Sequence, residues 1–245
     1  MPDLLVQANE LVLRERGEEV AREAFASLDS LAKPLQRLMK SKGVFGVSAA
    51  RIASCHARMF LLPWVPELTT AERWNALAAS RFEQAYGEPP DDWVLRVANE
   101  TPPGARLVAA LPAAMLDTLG RLAKPRSISI RLLDELGALI TREPQFHGCI
   151  AEIGADSASL LMFCRGELRR LRSRRFEHLE EVSAAARSEW ATACASDGTG
   201  NHRSGNRGVG SRTQPAISVV VSGGGTAARD ALASALGSSR ALCIA

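Results

Sequence analysis

An α/β fold with mixed sheets flanked by helices is predicted, and three observations predict it. Two apolar, β-branched runs, Cys149–Ile153 and Ile217–Val221, stop at glycine and small hydroxyl residues: Gly154-Ala155-Asp156-Ser157 after the first and Ser222-Gly223-Gly224-Gly225-Thr226 after the second. Such runs read as buried strands feeding tight loops, where the backbone needs positive φ or close approach to a ligand. Strand and helix patterns alternate between Leu107 and Thr141, as covered sheets require. With 245 residues, the chain can hold one domain or two packed lobes.

From the N-terminus, Glu10–Arg16 and Glu19–Phe25 alternate like a hairpin around Gly17-Glu18. Ser27 or Asp29 is placed to cap a helix from Ser30 to Lys42, with Leu31, Leu35, Leu38 and Met39 at helical spacing and Gly43 as its stop. Val44–Ala50 and Cys55–Leu62 read as strands, closed by Pro63-Trp64-Val65-Pro66. Thr69 or Thr70 then caps a helix whose apolar face carries Trp74, Leu77, Ala78, Phe82 and Ala85, and which ends at Gly87. Strands Trp93–Ala98 and Leu107–Leu111 flank a Thr101-Pro102-Pro103-Gly104 turn. Pro112 opens a short helix, Ala113–Leu122, followed by strand Ser127–Ile130 and helix Leu132–Thr141.

After Asp156 the chain returns as Ala158–Cys164, turns at Arg165-Gly166, and runs out along Glu167–Arg172. Helix Glu177–Ala195 carries Leu179, Val182, Ala186, Trp190 and Ala193 as its apolar stripe. Residues 196–214 contain almost nothing to bury and read as a flexible loop. The second glycine turn opens a helix, Thr226–Leu236, ended by Gly237.

Composition narrows the function classes. At 46% hydrophobic and 23% charged residues, with net charge +3, the chain has ordinary globular balance, and no apolar run approaches the roughly 18–20 residues that cross a bilayer. The start, Met1-Pro2-Asp3-Leu4, lacks the basic and apolar regions of a secretory signal, which predicts a cytoplasmic protein. Five scattered cysteines without a CxxC read as reduced core residues rather than metal ligands. The four histidines show no ligand spacing, and Cys55-His56, as neighbours on a predicted strand, would face opposite sides. There is no GxSxG, no GxxxxGK[ST] and no GxGxxG after a strand.

Positive charge is local. Arg165, Arg169, Arg170, Arg172, Arg174 and Arg175 fall within eleven residues. Such a stripe would attract an acidic partner, anionic lipid or nucleic acid, or simply solvate a strand edge and deter edge pairing. No aromatic residues interleave to stack bases, so nucleic acid is not expected.

The spacing of the two glycine loops resembles the second phosphate loop and the adenosine loop of the actin-like ATPase fold. The wider string, Arg106–Pro112, helix, Ile128–Arg131, helix, Cys149–Asp156, is similar to the pilus-assembly protein PilM and the cytoplasmic domain of the secretion protein GspL. That resemblance implies a ribonuclease H-like, two-lobed fold with a reduced second lobe. The lobes would span 1–104 and 105–245, dividing near Glu100–Ala105.

It also implies where a nucleotide would sit: Glu152, Gly154, Asp156 and Ser157 on the phosphate side, Gly223, Gly224, Gly225 and Thr226 on the nucleoside side, and Glu152 and Asp156 toward magnesium. The family's first phosphate loop, a strand, an Asp-Ile-Gly turn and a returning strand at the extreme N-terminus, has no match in Met1–Asn9 and is expected to be absent or eroded. Catalysis is therefore not expected, and ATP and magnesium would bind weakly or not at all. The residues leave plainer readings open as well: the glycine triplet as a tight strand-to-helix turn, Asp156 as a turn cap, and Glu152 as a buried acid held by an arginine. By resemblance, the chain would be a cytoplasmic scaffold at the inner membrane, reaching it only through a platform protein of a type IV pilus or type II secretion machine, with self-association left open. The alternative is an active ATPase or kinase of the same superfamily.

Overall fold

The computed structural model describes residues 1–98, 104–195, 217–223, 225–238 and 240–244. The flexible loop expected over 196–214, most of the Thr101–Gly104 turn, and Gly224 lie outside the described residues. The chain divides into two compact units, Met1–Glu135 and Leu136–Ala245.

In the first unit the opening strands β1 (Asp3–Val6), β2 (Glu10–Glu15) and β3 (Glu18–Ala24) form an antiparallel meander. Strand β1 was not expected from the sequence. Helix α1 (Ala32–Ser41) follows, ended by Gly43 at φ 61, and leads to β4 (Ala49–Ile52), which pairs parallel with β1. Leu4, Val6, Leu11 and Leu13 on one sheet face meet Leu31, Leu35 and Leu38, which repeat at helical spacing.

Next comes an inserted layer. Strand β5 (Arg58–Leu62), helix α2 (Ala71–Tyr86), β6 (Trp93–Val97) and β7 (Arg106–Pro112) build a three-stranded antiparallel sheet in the order β5-β7-β6. Helix α2 starts where Thr70 Oγ1 accepts from the Arg73 N–H and stops at Gly87, φ 68, the left-handed terminator the sequence predicts. Trp74 and Ala78 pack on Leu62 and Val108. Helix α3 (Ala113–Leu122) then returns the chain to β8 (Ser127–Ile130), which pairs parallel with β4 and completes the order β3-β2-β1-β4-β8.

Helix α4 (Arg131–Arg142) carries the division between the units. The sequence reading divided the lobes near residue 104, whereas these compact units divide at Glu135–Leu136. Strand β7 belongs to the inserted sheet, paired with its hairpin neighbour β6 and with β5, and β8 belongs to the first sheet; the pairings with β5 and with β4 join strands far apart in the sequence.

The second unit repeats the plan without the insertion. Strands β9 (Gly148–Ile153), β10 (Ser157–Cys164) and β11 (Glu167–Arg175) form an antiparallel meander. Helix α5 (Leu179–Ala195), β12 (Ser218–Gly223), α6 (Gly225–Leu236) and β13 (Arg240–Ile244) follow, with β12 parallel to both β9 and β13. The order is β11-β10-β9-β12-β13. Every residue of β9 is buried, as expected of a central strand covered on both faces. No helix among the described residues is long and apolar enough to cross a membrane.

Candidate functional site

The two sequence-predicted loops follow neighbouring strands. Strands β9 and β12 run parallel in register, Glu152 opposite Ser222 and Ile153 opposite Gly223, so Gly154–Ser157 and the glycine turn leave the sheet at the same carboxyl edge. Ligands of open α/β sheets bind at such an edge. Helix α6 begins at Gly225, with Thr226 exposed in its first turn, and directs the positive end of its dipole there. Gly224 itself is outside the described residues.

Glu152 is 7% exposed. Its sheet neighbours are Ser159 on β10 and Ser222 on β12, and the Ser159 hydroxyl shares a 2.9 Å hydrogen bond with Ser173 on β11. Glu152, Ser159 and Ser173 thus stand in one row across β9, β10 and β11. At the turn the Gly154 N–H donates to the Ser157 carbonyl at 2.7 Å. A Cβ at position 154 would stand 3.1 Å from the Ser157 hydroxyl, so glycine leaves that oxygen its room. The Ser157 hydroxyl is buried with no hydrogen-bond partner. Asp156 is exposed, and its backbone carbonyl accepts from the Phe176 N–H at 2.9 Å. Among the described residues, no three His, Cys, Asp or Glu side chains converge as a metal cluster.

The first unit has the equivalent hairpin, which sequence reasoning missed. Val6 pairs with Leu11 as Ile153 pairs with Ala158, and the Gln7 N–H donates to the Glu10 carbonyl at 2.8 Å as Gly154 donates to Ser157. Register then equates Leu5 with Glu152, Gln7 with Gly154 and Asn9 with Asp156. The hairpin is present and its chemistry is not: a leucine stands where the second unit holds a carboxylate, and no glycine opens the turn. Leu5 has Val12 and Arg51 as neighbours in place of two serines, and Arg51 lies 3.9 Å from Asp3. The signal available in the sequence was Leu4-Leu5-Val6 before a polar triplet, too short to stand out.

The turn of this first hairpin is also held from outside. The Ala53 N–H donates to the Val6 carbonyl, and His56 Nε2 donates to the Gln7 carbonyl at 2.6 Å. Residues Ser54–His56 form a short 3₁₀ turn rather than the predicted strand, which leaves Cys55 exposed and His56 against the Phe25 ring. Burial lowers the His56 pKa, and the hydrogen bond to Gln7 opposes that only in part. The folded state therefore resists a proton that the unfolded chain accepts near its ordinary pKa of about 6.5. Stability of the first unit is expected to be full above that pH and to fall as pH drops from it toward the lowered folded value. Urea midpoints between those limits, read by fluorescence of Trp64, Trp74 and Trp93 in a Trp190→Phe background, should lose this slope in His56→Asn.

The arginine stripe is largely spoken for. Arg170, Arg172 and Arg174 register with Met162, Leu160 and Ala158, on the face of the sheet where α5 packs. Glu189 lies 3.1 Å from Arg170 and 3.9 Å from Arg172, and Glu181 lies 3.1 Å from Arg174. Arg169 pairs with Glu167 at 2.7 Å beside a bulge in β11. Arg165 takes φ 53 and Gly166 φ 83, as a tight two-residue hairpin turn requires. Charges and a bulge on an edge strand are the devices that discourage edge pairing. Cys149 is a buried thiol pushed up to about 12 by desolvation, and Cys164 is buried with it, as the reading of inert core cysteines expects.

No family model and no curated protein matches this sequence. Solved structures do match its fold. A Bacteroides thetaiotaomicron protein with an actin-like ATPase fold and unknown function aligns over 99% of this chain and 90% of its own, at TM-score 0.62 and 13% identity. The PilM–PilN type IV pilus biogenesis complex aligns over 98% and 87%, at TM-score 0.56 and 17% identity. The cytoplasmic domain of EpsL, an inner-membrane component of the type II secretion system of Vibrio cholerae, aligns over 90% and 80%, at TM-score 0.50 and 10% identity. The fold is the actin-like ATPase fold, as the sequence resemblance implied.

Proposed function

We propose that this protein is a non-catalytic scaffold of actin-like fold, serving the inner-membrane platform of a pilus or secretion machine by binding a cytoplasmic segment of a membrane partner. The observation that carries the reading is Leu5 in the place of Glu152. Hydrolysis on this fold needs a carboxylate on each of two opposed hairpins to hold magnesium and its water. One hairpin keeps an acid, Glu152, and a glycine, Gly154. The other has Leu5 and Gln7, and the carbonyl of Gln7 is taken by His56. These residues do not fit a two-carboxylate clamp for magnesium ATP. Likeness of fold to PilM in its complex with PilN and to cytoplasmic EpsL supports the pilus or secretion setting.

A second reading has one observation in its favour: Glu152, the orphaned Ser157 hydroxyl and the N-terminus of α6 share one sheet edge. On that reading a nucleotide would be held by the second unit alone.

Calorimetric titration with magnesium ATP separates the two. The scaffold reading expects no saturable heat at millimolar nucleotide. It also expects saturable capture of a synthetic peptide from the cytoplasmic segment of a single-span membrane protein encoded beside this chain. Saturable, magnesium-dependent heat that disappears in both Glu152→Ala and Gly224→Val would overturn it in favour of nucleotide binding.

A further inference from the structure

Three large hydrophobic side chains stand exposed among the described residues, and all belong to the first unit: Phe45 at 92%, Met1 at 63% and Ile128 at 37%. Phe45 was predicted to lie on a strand, Val44–Ala50. Instead β4 begins only at Ala49, and Phe45 sits in the segment joining it to α1. That segment is pinned on both sides. The Val44 N–H donates to the Met39 carbonyl, the Val47 N–H donates to the Ala123 carbonyl, and both valines pack in or against the core. The ring between them is thus held outward by fixed backbone.

Its surroundings are specific. A Cβ built on Gly46 would touch Met1 Cε at 3.5 Å and the Lys124 carbonyl at 3.6 Å, so Met1, the Phe45–Gly46 corner and Lys124 form one surface. The chain has four lysines among its thirty Lys and Arg residues. Three of them lie here: Lys40 and Lys42 at the end of α1, just before Phe45, and Lys124 across from Gly46, with Arg126 two residues on. All four cations are exposed, and none has a carboxylate within ion-pair distance among the described residues. The nearest acid in the register, Asp3, is engaged by Ser48 and lies 3.9 Å from Arg51. A single exposed apolar side chain is ordinary. An outward aromatic beside a methionine, with Lys40 and Lys42 just before it in the chain and Lys124 across from it, is less so.

We propose that this corner docks directly on an anionic phospholipid surface. Phe45 and Met1 enter the boundary between headgroups and acyl chains, while Lys40, Lys42, Lys124 and Arg126 lie among the phosphates. Charge complementarity selects the occupant. A diffuse anionic surface is met by hydrated point charges on flexible stems, which is what lysine supplies, whereas a protein carboxylate is better clasped by the fork of arginine. Elsewhere this chain uses arginine for its ion pairs, on β11 and on β3. This contact depends on neither nucleotide nor protein partner, and so departs from the expectation that the membrane is reached only through a partner.

The test is flotation of the full chain with phosphatidylcholine vesicles, plain or containing about one-third phosphatidylglycerol, at about 0.1 M and about 1 M salt. Binding is expected only with the anionic lipid and only at low salt. Lys40→Ala with Lys42→Ala should lower partitioning by about 25-fold, since each basic residue near such a surface contributes about fivefold. Phe45→Ser should lower it by about tenfold. All three side chains are exposed, so thermal melts should match the parent protein and exclude misfolding as the cause. No preference for the anionic vesicles overturns the proposal. Binding untouched by both variants also overturns it, by placing the contact elsewhere. An acidic protein partner captured without vesicle affinity would reassign the surface to that partner and equally defeat it.

Discussion

Alanine at Gly148 is expected to destabilise the second unit by about 4 kcal/mol or more. Gly148 opens the central strand β9 with φ 153, a region closed to residues that carry a Cβ. A Cβ there would lie 1.8 Å from the Ser218 carbonyl oxygen and under 3 Å from that residue's carbonyl carbon and nitrogen. All three are backbone atoms of β12, so no rotamer change relieves the clash. The strand must retreat, and with it goes the hydrogen bond from the Ser218 N–H to the His147 carbonyl. Since β9–β12 pairing also places Glu152 beside the glycine turn, the variant should lose both stability and site geometry. Urea unfolding followed through Trp190, the tryptophan of the second unit, checks this in a background where the other tryptophans are phenylalanine. A loss below about 1 kcal/mol would show that the strands tolerate separation.

Trp74→Ala should have a comparable effect on the inserted layer of the first unit, about 4 kcal/mol. Trp74 is 2% exposed, the largest side chain of its cluster, and its indole N–H donates to the Leu68 carbonyl at 2.7 Å. Its ring faces Trp64 at 5.7 Å, and the Arg106 guanidinium lies 4.4 Å from its centroid. Truncation leaves a large cavity, removes a hydrogen bond to a loop carbonyl, and deprives Arg106 of its nearer aromatic face. The Arg106 Nε is already buried without a partner, which makes that stacking its main compensation. Trp74→Phe should keep most of the packing and cost about 1–2 kcal/mol for the missing hydrogen bond. Denaturation monitored by circular dichroism, with both variants compared, distinguishes packing from polar loss.

What the sequence disclosed depended on how local the determining physics was. Helix α2 was legible because its cap, Thr70, and its stop, Gly87, each act within one turn, and α3 and β8 have the bounds the sequence reading gave them. The glycine loops were legible because a strand that ends in glycine needs no partner to be recognised. Pairings were not. That β7 joins β5, and that β8 lies beside β4, are facts about strands separated by dozens of residues. The first hairpin escaped notice because Leu5 and Gln7 stand where the second unit has Glu152 and Gly154, the letters by which such a hairpin is read. The arginine stripe was visible as charge, while its neutralisation by Glu181 and Glu189 required knowing that α5 returns over that face of β11.

The insertion between β4 and α3 has a consequence for the history and handling of this chain. In the second unit the same junction runs from β12, which ends at Gly223, to α6, which begins at Gly225. In the first unit everything from Ala53 to Pro112 stands at that junction, and its ends stay tied to the body: the Ala53 N–H donates to the Val6 carbonyl, His56 donates to the Gln7 carbonyl, and Leu111 packs against the core of the five-stranded sheet. Only what lies between those ties can be shortened, exchanged or grafted without rethreading a strand of the five-stranded sheet.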